Sequence, residues 1–248
     1  HYENAGADCI VTLHMAYSPS LESEKALTGT SLPIVVLDTT ETFAFDPMQD
    51  SAEINFNHGI HGVMDMCNIL RRHAKKFAIA AGHYEQSDVI QKAAGLIRAA
   101  AAANAVHGSK VGGFGGGFQG MGDFAVTANE LQKNFGATLL SADPKEMKEI
   151  SASVSQAEIQ TEQQADKEIF AFPEELNQEN YDANTRACLT IRKWIEKHSL
   201  SAFSVNFLQV TAENGLDSMP FTEACKAMTR GIGYAGEGDA LNAMLSGA

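Results

Sequence analysis

Phe77-Ala78-Ile79-Ala80-Ala81, then Ser87 ahead of an alanine-rich stretch from Asp88 to Asn104, then Lys110-Val111-Gly112-Gly113-Phe114 reads as strand, helix and strand. Ser87 supplies a side-chain oxygen for the first free amides of the helix, and the alanines cost the least of any residue to hold helical. The same alternation extends in both directions. Cys9–Leu13, Pro33–Asp38, Ala137–Ser141 and Ala202–Leu208 are further short β-rich runs, with helical stretches between most of them. Strands separated by helices imply an α/β fold with a mainly parallel sheet.

The helical stretches have recognisable faces and ends. From about Gly62 to His73, Val63, Met66, Cys67 and Leu70 recur near the 3.6-residue period. Thr127 and Glu130 form a capping-box pair for a helix ending near Gly136. The mostly polar stretch from Pro144 to Asp166 has few apolar positions (Met147, Ile150, Val154, Ile159) and is expected to be an exposed helix or helix pair, a lid or spacer. A long helix from about Asn180 to His198 should bury Ala187, Ile191, Trp194 and Ile195. Breaks near residues 45 and 200 divide the chain into 1–45, 46–200 and 201–248.

With 248 residues, 44% hydrophobic, the chain can bury one large core or two moderate ones. Its formal net charge of −13 argues against nucleic acid or anionic membrane as partner. Neutral sugars, metabolites and divalent cations remain open as partners. Cys9, Cys67, Cys188 and Cys225 form no zinc-spaced group and are expected as buried free thiols. No apolar stretch approaches the ~18 residues that span a bilayer, and His1-Tyr2-Glu3-Asn4 does not resemble a secretory signal, so a cytoplasmic protein is expected. A chain that opens on His1, with a strand following at once, is expected to be a piece of a longer protein.

Four segments carry candidate chemistry. Gly231-Ile232-Gly233-Tyr234-Ala235-Gly236-Glu237-Gly238-Asp239 sets two carboxylates among four glycines, a pattern that presents an acid to a ligand. Alternatively it is a turn with Asp239 capping a following helix. His58 and His61 lie three apart where a helix begins and suit hydrogen bonding to a polar ligand better than metal ligation, or are solvated imidazoles of a capping turn. The Gly112–Gly122 run contains a formal Gly115-x-Gly117-x-x-Gly120 match, but no helix starts inside it to hold a pyrophosphate. It reads as a loop at the C-terminal edge of a sheet. Glu213 follows the last long strand and, with Glu237, could hold a divalent cation through hard oxygen ligands.

Taken together, these segments resemble L-arabinose isomerase and its L-fucose isomerase-like relatives. The carrying residues are Asn57 with His61-Gly62, Ala81-Gly82-His83-Tyr84, Met121-Gly122-Asp123-Phe124-Ala125-Val126-Thr127, and the stretch from Pro220 to Asp239. The resemblance implies a Rossmann-like, doubly wound central domain flanked by part of an N-terminal α/β domain and the start of a C-terminal catalytic domain. It implies an aldose-ketose isomerase acting through an ene-diol on a pentose or deoxyhexose, with Mn²⁺ held by two glutamates and two histidines. Glu237 matches one glutamate, and Glu213 the other if a small length difference is allowed. The two histidines would follow Ala248. His61 matches a substrate-lining histidine contributed across a subunit boundary, with His58 beside it, and Met121 and Tyr234 match positions near the sugar. The family assembles as trimers or hexamers. A non-catalytic sugar-binding protein and, more remotely, a nucleotide-dependent oxidoreductase are the competing expectations.

Overall fold

The structure, a computed structural model, describes residues 1–123 and 125–248; Phe124, part of the Met121–Thr127 run, lies outside the described residues. Two compact units part between Ala105 and Val106, whereas the breaks in sequence character lie near residues 45 and 200. No helix among the described residues is long and apolar enough to cross a membrane.

The N-terminal unit runs β1 (Ile10–Leu13), α1 (Glu24–Thr28), β2 (Ile34–Asp38), α2 (Gly59–Arg72), β3 (Phe77–Ala81) and α3 (Val89–Val106). Its three strands are parallel in the order β1-β2-β3, with Ile34 opposite both Ile10 and Phe77. Alternation along the strands divides the side chains between two faces. Ile10, Ile34, Val36 and Phe77 pack on Leu27 of α1 and on Val63, Met66 and Leu70 of α2. Leu37 and Ala80 pack on Val89, Ala93 and Leu96 of α3.

The C-terminal unit continues with β4 (Lys110–Phe114), α4 (Ala128–Phe135), β5 (Thr138–Ser141), α5 (Pro144–Ser153), α6 (Gln156–Ile169), α7 (Gln178–His198), β6 (Ala202–Val205), α8 (Phe221–Thr229), β7 (Gly233–Gly236) and α9 (Ala240–Ser246). Its four strands are all parallel, in the order β5-β4-β6-β7. One face packs Phe114, Phe203 and Val205 on Met147, Ile191, Trp194 and Ala227. The other packs Val111 and Ala202 on Leu131, Ala243 and Met244. Helices on both faces of a parallel sheet make this unit doubly wound and Rossmann-like. From β4 the chain steps outward to β5 and then crosses back to β6, so the order reverses between β4 and β6. Such a switch point opens a crevice outside the carboxyl ends of the strands.

Three expectations change against the structure. The polar stretch from Pro144 is not an exposed lid: Met147 and Ile159 are fully buried, Val154 and Ile150 nearly so, and all four sit in cores. The last long strand ends at Val205 instead of Leu208, because the Asn206 side chain accepts from the Leu208 amide and turns Phe207–Gln209 into a 3-10 turn. The four cysteines are free, but only Cys188 is buried. Burial pushes its thiol up to about 12, which keeps it protonated and inert.

Candidate functional site

Glu237 follows β7 directly and holds φ +61°, a left-handed backbone that costs a non-glycine residue about 1 kcal/mol. The next residue must be glycine. At φ +84°, a Cβ on Gly238 would lie 2.1 Å from the Gly116 carbonyl oxygen and 2.6 Å from Gly117 Cα. The β7 turn is therefore wedged against the glycine loop after β4, and the Phe118 amide donates to the Glu237 carbonyl at 2.9 Å. The two acids of the run divide their work. Asp239 is buried and caps α9, accepting from the Asn242 amide at 2.9 Å and from Asn242 Nδ2 at 2.6 Å. Glu237 is exposed on the turn that follows β7.

Beside it lies a cleft of about 370 Å³, walled by the β4 loop (Phe118, Gln119, Met121) and by Thr127, Ser141 and Gly238. Among the described residues, no charged side chain lines it. At the switch point the loops after β4 and β6 meet: a Cβ on Gly115 would fall 2.4 Å from Gln209 Cβ and 3.3 Å from Asn206 Cβ. The Phe118 and Phe207 rings lie 5.5 Å apart, tilted by 35°.

The other sequence candidates of this unit occupy different places. Met121 lines the cleft and is 42% exposed. The Tyr234 ring is partly buried and packs against the core, 5.0 Å from Phe203. Its hydroxyl is buried with no partner among the described residues, and burial raises its pKa. Glu213 is exposed on the 3-10 turn Ala212–Asn214, which leans on α5: a Cβ on Gly215 would fall 2.7 Å from both Lys148 N and Met147 Cβ. Glu213 thus belongs to the α5 flank, while Glu237 belongs to the β7 turn. Among the described residues, no three His, Cys, Asp or Glu side chains converge to hold a metal ion. Glu237 has the exposure and the carboxylate oxygens that a divalent cation such as Mn²⁺ takes.

His58 and His61 belong to the N-terminal unit. His58 precedes α2 without capping it, and His61 is exposed on the first turn. Their rings are 4.5 Å apart, edge to face, and Tyr17 lies 5.2 Å from His58. The start of α2 rests on the residue after β1: a Cβ on Gly59 would fall 2.3 Å from the His14 carbonyl oxygen, and one on Gly62 2.8 Å from His14 Cδ2. Nearby, a crevice of about 360 Å³ at the carboxyl edge of the sheet is lined by His14, Thr39, Glu41, Phe56 and Tyr84. His14 and Thr39 were missed from sequence although both follow predicted strands, the usual place for ligand residues in α/β units. His83, also at a strand end, is structural: its Nε2 lies 3.0 Å from the Glu41 carbonyl, and its Nδ1 faces the amides of Glu85 and Gln86.

Comparison with known proteins agrees with this architecture. Residues 111–248 match the family model of the L-arabinose isomerase central domain. The L-arabinose isomerase of Halalkalibacterium halodurans is 26% identical over 254 residues, covering 98% of this chain and 50% of that protein. That of Pediococcus pentosaceus is 28% identical over 263 residues (99% and 52%), and that of Klebsiella pneumoniae 25% over 257 (99% and 49%). The chain spans about half the length of the curated relatives it matches. With more than half of its residues matched by the central-domain model, the chain belongs to the L-arabinose isomerase family.

Proposed function

We propose that the polypeptide carrying this chain is an aldose-ketose isomerase that acts on an aldopentose such as L-arabinose or on a deoxyaldohexose such as L-fucose. The observation that carries the proposal is Glu237: an exposed carboxylate on a turn held by the glycine loop, beside an uncharged cleft. Membership of the family supports the reaction class. In the reaction, a carboxylate takes the proton from C2 of the open-chain aldose and returns it to C1, while the hydroxyl proton on O2 passes to O1 through the ene-diol. General acid-base catalysis of this kind needs a base within hydrogen-bond reach of the proton it takes. Glu237 supplies the base, and the left-handed turn fixes its direction. Phe118 and Met121 supply apolar cover for the sugar carbons, and Gln119, Thr127 and Ser141 supply hydroxyl partners.

The test is conversion of L-arabinose to L-ribulose by the full polypeptide and by its Glu237→Gln variant. We expect the variant to lose at least about 10²-fold in kcat, the lower end of what general acid-base groups contribute, with its fold intact because the side chain is exposed. Unchanged turnover would remove Glu237 from catalysis. A second reading, sugar binding without turnover, rests on Glu213 standing on a turn packed against α5; it predicts sugar binding by both proteins and no ketose from either.

A further inference from the structure

Resting on the proposed role of Glu237, we infer that Ser204 is a positioning residue for the reaction: its hydroxyl holds the peptide that precedes Glu237 and so keeps the carboxylate aimed.

Ser204 lies in β6, where all four residues are buried, and it is the one polar side chain among them. A serine hydroxyl commonly bonds to backbone a few residues away in its own segment. This one reaches to the neighbouring strand instead. The register sets Ser204 opposite Ala235, one residue before the end of β7. Its Oγ donates to the Ala235 carbonyl at 2.6 Å, and the Gly236 carbonyl shares the same hydrogen at 3.1 Å. Those are the last two carbonyls before Glu237.

The need for such a hold comes from the turn. Glu237 (φ +61°) and Gly238 (φ +84°) are the central residues of a turn closed by the Asp239 amide, which donates to the Gly236 carbonyl at 3.0 Å. Two positive-φ residues in succession are the mark of a type I′ turn. Gly238 takes that backbone freely, but Glu237 takes it against its own Cβ. Rotating the Gly236–Glu237 peptide would return Glu237 to negative φ and swing the Gly236 carbonyl away. Bonds to that carbonyl oppose the rotation. The Asp239 amide belongs to the turn and can move with it, whereas Ser204 belongs to a strand paired on both sides, with β4 and with β7. Strained backbone persists only where its surroundings over-determine it, and Ser204 is the part of those surroundings fixed to the sheet. Fully buried, Ser204 is not among the residues lining the cleft beside the turn. It therefore acts through Glu237 and not on the sugar.

The experiment measures kcat and KM for L-arabinose with the full polypeptide, in the wild type, Ser204→Ala, Glu237→Gln and the double variant, together with hydrogen exchange of the Asp239 amide. Expected for Ser204→Ala is a kcat at least about tenfold lower, a small misplacement of a catalytic group being enough for that, with KM nearly unchanged and Asp239 exchanging faster. In the Glu237→Gln background, Ser204→Ala should cause no further loss of kcat, because residues acting as one unit are not additive. Ser204→Cys, close in volume and a weak donor, replaces Ser204→Ala if that variant loses its native circular dichroism. Wild-type kcat in Ser204→Ala, beside a Glu237→Gln variant that has lost turnover, overturns this inference and leaves Glu237 as the base. A loss that repeats in full in the double variant also overturns it, since Ser204 would then serve packing alone. If Glu237→Gln turns over too slowly to read, unchanged Asp239 exchange in Ser204→Ala overturns it. Full turnover by Glu237→Gln, or none by the wild type, overturns the reading on which the inference rests.

Discussion

Glu237 and Gly238 make one device, in which the acid is strained so that the glycine can be close-packed. The unfavourable φ of Glu237 persists because Gly238 sits where no side chain fits, against Gly116 and Gly117. Gly238→Ala must push the β4 loop away by more than an ångström or flip the turn. Either response moves the carboxylate. We expect this variant to lose about 1–3 kcal/mol of stability by overpacking and to reduce turnover by more than its stability loss explains. Equilibrium urea unfolding and kcat measured on the same preparation separate the two effects; a variant with wild-type kcat at full occupancy of the folded state would show that the turn does not aim Glu237. Asp239 was legible as a helix cap from sequence alone, since an acid two residues before an apolar Leu241 is the ordinary N-cap pattern. The direction in which Glu237 points was not, because it depends on the approach of a loop more than a hundred residues earlier.

At the scale of elements, local patterns were readable where propensity and period agreed and unreadable where packing decided. Thr127 and Glu130 form both bonds of the capping box expected from their spacing. Ser155 and Glu158 form the same box at the start of α6, and Asp143 caps α5 with Pro144 in its first turn. Those signals stood in the sequence inside a stretch read as an exposed spacer. The error lay in counting apolar residues instead of noting their spacing: Met147 and Ile150 are three apart, and one apolar side chain per turn is enough when the partner helix is α7. Ile159, fully buried against Val154 and Leu189, tests this directly. Ile159→Ala should cost about 2–5 kcal/mol in chemical denaturation, whereas a solvent-exposed spacer would register less than ~0.5 kcal/mol. The end of β6 failed for a different reason. Phe203 to Leu208 is apolar enough for a strand, yet Asn206 folds its side chain back onto the Leu208 amide and ends the ladder. That short turn is what places Phe207 and Leu208 at the carboxyl edge of the sheet.

For the whole molecule, the excess of acid sets the pH at which folding fails. The net charge is −13, and the C-terminal unit gathers part of that charge into a network spanning three helices. Glu162 of α6 pairs with Arg192 of α7 at 2.6 Å and with Lys226 of α8 at 2.5 Å, Lys226 also meets Asp166, and the fully buried Glu223 lies between Arg192 and Arg230. Hydrogen bonding from Arg192, opposed by burial and aided by Lys226, lowers the Glu162 carboxyl from 4.5 to about 2. Glu158, bonded by Lys193 and by its own capping serine, falls to about 2 as well. A carboxyl whose pKa is lower in the folded state contributes stability that is present above its unfolded value and disappears as the pH falls through its folded value. Here that window runs from about 4.5 down to about 2. Melting temperature should therefore be nearly flat from pH 7 to 5.5 and fall steeply below 4.5. In Glu162→Gln the melting temperature at pH 7 should be lower and the acid limb shallower, since one of the protons taken up on unfolding is gone. Because Glu162 joins α6 to both α7 and α8, hydrogen exchange in α6 should accelerate before that of β4 and β6 as the pH drops below 4.5. An acid limb of unchanged slope in Glu162→Gln would mean that this network does not govern acid unfolding.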